Sequence, residues 1–211
     1  MLKPCTSHLV DRVISTKVGA TRRPDKSWVF FNTPENLRAL KQKQIQLVHL
    51  RLMKYGAVLL EEQLGTMLEL QRAGKILHVS LRSLTRAELE VGLKLGAIAT
   101  VINMCRYAQH TTVELPYGTN PGGEVVRDLC EQHGIPLLPF FSLVHGLPSA
   151  GNKLLEMVKK HNVTEAQIDA GLLQNSPWIL PILGTSSLAH LRENLKAAAI
   201  KLSAEGMVYL S

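Results

Sequence analysis

Apolar runs with strand character recur along the chain between segments whose apolar residues fall at helical spacing, which predicts repeated βα units and a parallel sheet. The first strand is expected at Arg12 to Thr16, followed by a polar loop that carries Trp28. Thr33-Pro34-Glu35-Asn36 then reads as the cap of a short helix with Pro at its first position. Ile45 to Leu50 is the second strand. Glu61 to Ala73 has apolar Leu64, Met67, Leu68 and Leu70 at helical spacing, and Gly74 closes that helix ahead of a strand at Ile76 to Ser80. Thr85 and Glu88 form a capping box for a helix reaching about Leu95, and Ala97 to Asn103 is the next strand. Glu124 to His133 is helical, Gly134 stops it, and Ile135 to Phe140 is a strand interrupted by Pro136 and Pro139. Helices at Asn152 to His161 and Thr164 to Gln174, a strand at Trp178 to Leu183 and a last helix from about Ser187 to Ala199 complete six strands, each followed by a helix.

Composition narrows the class. With 211 residues, 45% of them hydrophobic, the chain can bury one sizeable core, so one α/β domain over 1–211 is expected. No run of apolar residues is long enough for a membrane span, and the opening residues lack the apolar core of a signal peptide. The three cysteines, Cys5, Cys105 and Cys130, are far apart and form no CxxC pair, which implies free thiols in a reducing cytoplasm and argues against zinc. A net charge of +7 suits an anionic ligand as well as a solvated surface. Its lysines and arginines are scattered without interleaved aromatics, so nucleic acid is not the expected partner.

Short segments, in order, then name a chemistry. Ile14-Ser15-Thr16-Lys17-Val18-Gly19, Val48-His49-Leu50, Gln71-Arg72-Ala73-Gly74-Lys75-Ile76 and, most specifically, Ile182-Leu183-Gly184-Thr185-Ser186-Ser187-Leu188 with the later Glu193-Asn194 pair resemble the aldo/keto reductase family. The resemblance implies a parallel (β/α) TIM-type barrel, incomplete here, with about six βα units instead of eight because the opening units are missing. Such an opening would leave strand edges near Val13 and Ile182, expected to be covered by the N-terminal segment, by the two strands meeting, or by a second copy in a homo-oligomer.

The resemblance also implies a site. The family reduces a small-molecule carbonyl substrate, an aldehyde or ketone, with NADP as cofactor (NAD being the alternative). Lys17 and His49 match its catalytic lysine and histidine, while the partner aspartate and tyrosine have no counterpart near the start of this chain. An inward lysine without its aspartate must be reached by water or paired by another acid. Gly184, Thr185, Ser186 and Ser187 would hold the adenosine-side phosphate at a helix N-terminus, with His190 where many members carry arginine and Glu193 and Asn194 at the adenine. The same hydroxyls also suit an ordinary helix cap. Ser142, Leu143 and Gly146 resemble the pyrophosphate segment, or a plain barrel turn. Ser80 and Asn103 keep half of the nicotinamide-binding pairs, since Leu81 and Ile102 replace their polar neighbours at a cost of roughly a few kcal/mol in the pocket. A non-catalytic barrel relative that retains dinucleotide or partner binding is the alternative, and for His49 that reading is a histidine filling a strand end.

Overall fold

Alternation of apolar and polar residues in Ile45–Arg51 and Ile76–Arg82 makes them strands, and they are the centre of the first of two compact units. The structure, a computed structural model, describes residues 13, 15–22, 24–25, 28–31, 43–52, 59–104, 113–115, 118–120, 123–140, 152–173 and 176–210. Unit one comprises residues 1–82 and 91–99, and unit two residues 83–90 and 100–211.

In unit one, β1 (Ser15–Arg22), β3 (Ile45–Arg51) and β4 (Ile76–Arg82) run parallel, with β1 paired to β3 and β3 to β4. β2 (Trp28–Phe31) is antiparallel to β1. The first strand thus lies later than the sequence predicts, and the expected Trp28 loop is a strand. β1 changes partner along its length: Ser15 to Val18 pair with β3, Gly19 to Arg22 with β2. Gly19 sits at the change with φ +106°, where a side chain is strained. A Cβ there would also lie 2.5 Å from the Arg51 carbonyl oxygen. The edge near Val13 is therefore taken in part by a hairpin, an arrangement outside the three the sequence suggested.

The apolar positions of these strands, Val48, Leu50, Val79 and Leu81, are fully buried. Helix α1 (Leu60–Arg72) buries Leu64 and Met67, as its spacing predicts. Helix α2 (Arg86–Leu95) brings Gly92 so close that an added Cβ would lie 2.7 Å from Leu81 and within 4 Å of Ile98 and Leu64. The predicted capping box begins α2: Thr85 N–H donates to the Glu88 carboxylate and Glu88 N–H to Thr85 Oγ1.

Unit two carries β5 (Val101–Met104) parallel to β8 (Leu137–Phe140), a hairpin of β6 (Val113–Leu115) and β7 (Gly118–Asn120), and α3 (Gly123–Gln132). It continues through α4 (Asn152–His161), α5 (Glu165–Leu173), α6 (Leu188–Ala197) and α7 (Ala204–Leu210). Leu154, Met157, Ile168 and Leu202 form its helical core. Gly134, at φ +63°, ends α3 as expected.

The sixth strand is corrected. Residues 178–182 run beside β8 as one isolated parallel bridge, Leu137 to Ile179. Leu137 N–H donates to Trp178 O at 2.7 Å, Leu180 N–H to Leu137 O at 2.9 Å and Ile182 N–H to Pro139 O at 3.3 Å. The rung between these, from residue 139 back to Leu180, has no donor because residue 139 is proline. Pro136 likewise delays β8 to Leu137, and β5 starts at Val101 rather than Ala97. Among the described residues the parallel strands number five, three in unit one and two in unit two, and β1 and β5 are followed by hairpins rather than directly by helices. The helix expected from Thr33 lies outside the described residues.

Candidate functional site

Because neighbours in register on parallel strands project to the same side of the sheet, the pairings Lys17 with His49 and His49 with Ser80 place three predicted site residues in one row across β1, β3 and β4. The opposite side is the apolar core, so this row lies on the polar face of the sheet. His49 is 1% exposed and Ser80 is fully buried, whereas Lys17 is exposed. Ser15, two residues before Lys17 on the same face, brings its Oγ within 2.6 Å of His49 Nε2. His49 Nδ1 is buried without a hydrogen-bond partner.

One residue pair further along, Arg51 and Arg82 are also in register on this face. Desolvation, then the Arg82 and Lys17 charges, lowers the His49 pKa to about 4, so the imidazole is neutral near pH 7. Desolvation also lowers the Lys17 pKa, assisted by Arg82 and Arg51. The question posed for Lys17 resolves toward water: its side chain is exposed, and the charges acting most strongly on it are positive. Ser15, Arg51 and Arg82 were missed by motif matching. Their signal was the alternation Val48-His49-Leu50-Arg51 and Val79-Ser80-Leu81-Arg82, polar at every second position in strands of a kind usually apolar on both faces.

The other predicted residues belong to unit two. Asn103 on β5 is fully buried and donates through Nδ2 to Leu84 O at 3.0 Å, while its Oδ1 has no partner. That orphaned acceptor suits an outside N–H donor such as a carboxamide. Gly184, Thr185 and Ser186 are exposed, and nothing lies within 4 Å of a Cβ built at Gly184. Ser187 is the N-cap of α6; its Oγ accepts from His190 N–H at 3.4 Å, and Ser187 N–H donates to Thr185 Oγ1 at 3.1 Å. Two hydroxyls of the loop therefore serve the ordinary cap. The N–H groups of Leu188 and Ala189, in the first turn, have no carbonyl within the helix to bind and point out of its end. His190 is exposed, Glu193 and Asn194 are half-buried, and Glu193 O accepts from Gln167 Nε2 at 3.0 Å. Ser142, Leu143 and Gly146 lie outside the described residues. Open space at Gly184, the outward N–H groups and the unpartnered Asn103 Oδ1 fit a dinucleotide's phosphate and carboxamide. Leu81 and Ile102 are core residues, buried beside Ser80 and Asn103.

A sequence model of the Aldo/keto reductase family matches residues 9–211, and the chain belongs to that family. It is 32% identical over 209 residues to pyridoxine 4-dehydrogenase of Escherichia coli (strain K12), across 92% of this chain and 69% of that protein. An uncharacterized oxidoreductase of Schizosaccharomyces pombe is 30% identical over 203 residues, across 92% of this chain and 62% of its own. Among solved structures, an aldo/keto reductase from Klebsiella pneumoniae in complex with NADP and acetate shares the fold, with TM-score 0.66 and 22% identity over 94% of this chain and 68% of that one. A thermostable aldo-keto reductase bound to the inhibitor epalrestat gives TM-score 0.65 and 26% identity, over 82% of this chain and 61% of its own. The chain thus spans between three fifths and seven tenths of the length of these relatives. The fold class is the parallel (β/α) barrel type. No described helix is long and apolar enough to cross a membrane, and no described group of three His, Cys, Asp or Glu residues could hold a metal ion.

Proposed function

We propose that this chain is an oxidoreductase using NADP, with NAD as the alternative, that reduces the carbonyl group of a small aldehyde or ketone. Residues 1–211 act in this reading as one aldo/keto reductase-type domain, and the setting is cytoplasmic. The observation that carries it is the Lys17, His49 and Ser80 row on the polar face of three parallel strands. When bound, the nicotinamide supplies a hydride to the carbonyl carbon. The chain's own residues manage the oxygen. Lys17, cationic and water-reached, stabilises the charge that develops there and donates the proton, which solvent restores; its lowered pKa eases that transfer. Neutral His49, held by Ser15, orients the carbonyl without adding a second charge. In unit two, Gly184 to Ser187 and the first turn of α6 take the adenosine-side phosphate, His190, Glu193 and Asn194 the adenosine itself, and Asn103 the carboxamide. Ser80 lies with Lys17 and His49 at the reacting end, and Ser142, Leu143 and Gly146 are assigned to the pyrophosphate.

A second reading, a non-catalytic relative that binds dinucleotide alone, is favoured by one observation: His49 Nε2, the nitrogen bonded to Ser15, is already engaged. NADPH titration followed by protein melting, with an aldehyde panel that includes pyridoxal, decides between them. At a hundredfold excess over its Kd, NADPH should add about 2.7 kcal/mol of stability. Turnover in the wild type, lost by at least about 100-fold in Lys17→Met with NADPH binding retained, is the expected result. Binding without turnover selects the second reading; no melting shift at millimolar NADPH removes both.

A further inference from the structure

Ser15 precedes Lys17 by one polar position on β1 and stands diagonally across from His49 on β3. It is exposed, whereas His49 is 1% exposed. Their contact, 2.6 Å between Ser15 Oγ and His49 Nε2, can be made with the proton on either atom. Length separates the two. Hydroxyl donors approach to about 2.5–3.0 Å, whereas N–H donors keep about 2.7–3.2 Å from an oxygen, so the Ser15 O–H donates and Nε2 accepts. A neutral imidazole that accepts at Nε2 carries its proton on Nδ1. His49 is neutral near pH 7, so Nδ1–H is its one donor, and that atom is buried with no hydrogen-bond partner. A buried N–H left unpaired is rare, which marks it as a group that a bound acceptor completes. The acceptor it suits is an oxygen with lone pairs and no proton of its own, as a carbonyl has. Lys17, in register with His49, is exposed like Ser15, so the imidazole lies one side chain from solvent. We propose that Ser15 is a positioning residue: by donating to Nε2 it fixes the Nδ1–H tautomer of His49, and Nδ1–H is the group that meets the carbonyl oxygen. The word carbonyl rests on the reductase reading above; the tautomer does not. Engagement of Nε2 then readies the ring instead of blocking it.

The test is nitrogen-15 resonance of the histidine rings in the full chain at pH 7, with the His49 signals identified by their loss in His49→Gln. Protonated and bare ring nitrogens resonate far apart, so the tautomer is read directly. The wild type should carry the proton on Nδ1, Ser15→Ala should mix the two tautomers, and Ser15→Thr should keep the first. Acetophenone, added with oxidised NADP so that nothing turns over, should shift the Nδ1 signal and leave Nε2 in place. In turnover with NADPH, Ser15→Ala should lower kcat about tenfold, the size of one hydrogen bond, while KM and NADPH affinity stay within about threefold. Ser15→Thr should restore kcat. A proton on Nε2 in the wild type, a tautomer or a kcat that Ser15→Ala leaves unchanged, or a ketone response at Nε2 or at neither nitrogen overturns the proposal. The wild-type tautomer and ketone response need no variant, so a misfolded Ser15→Ala cannot shield it. If the wild type shows the tautomer and the Nδ1 response but no turnover, the positioning role stands and the reductase reading falls.

Discussion

His49 shows how a strand residue becomes a site residue. Burial and two neighbouring cations make its protonated form costly, so the folded protein holds it neutral down to a pKa of about 4, whereas an unfolded histidine titrates near 6.5. Between these values the unfolded chain binds a proton that the folded chain refuses. Stability is therefore unaffected above pH 6.5, falls as the pH drops from 6.5 toward 4, and the loss reaches about 2 kcal/mol after allowance for screening by nearby solvent. Urea midpoints recorded at pH 7, 5.5 and 4.5 should descend accordingly, and His49→Gln should flatten the descent. An equally steep descent in that variant would assign the effect to other groups. Lys17 and His49 were singled out in the sequence because they lie within short segments that resemble the family. Arg51 and Arg82 were not, since their pairing depends on strand register, which neither segment states alone.

Elements held where local chemistry and packing agree. The Thr85 and Glu88 capping box formed as written, and Thr85→Ala should cost about 1 kcal/mol, read from the unfolding midpoint. Thr164 and Gln167 form a second such box that opens α5. The elements that moved did so through proline and glycine. Pro139 removes one donor and reduces the predicted sixth strand to a bridge, while Gly19 lets β1 pass from β3 to β2. Gly19→Ala meets both a positive φ and the Arg51 carbonyl, so it should lose about 2 kcal/mol or more and loosen Arg51. The measurement is chemical unfolding. A neutral result would mean that β1 and β3 can separate there freely.

For the molecule as a whole, the fold class was legible from the βα rhythm, and family membership from the ordered segments. We also propose that copies associate, through helix α6 rather than through the strand edges near Val13 and Ile182 that the sequence suggested. Helix α6 leaves Leu188, Leu191 and Leu195 exposed at 73%, 43% and 67%, one stripe at helical spacing. Sedimentation should show a species heavier than the 23.3 kDa chain as concentration rises, and Leu188→Glu with Leu195→Glu should return it to monomer. A monomer at every concentration would remove this part of the proposal.

Hydrophobic period, caps and turn glycines are properties of a few adjacent residues, so the order of α1 to α6, most of the parallel strands and the hydroxyl loop before α6 followed from the sequence by itself, while the closing helix α7 did not. The row of Lys17, His49 and Ser80, the Ser15 contact and the Arg51 and Arg82 pair join residues remote in the chain. Their alignment depends on the register of parallel strands and on which face each strand buries, and only the tertiary structure decides both.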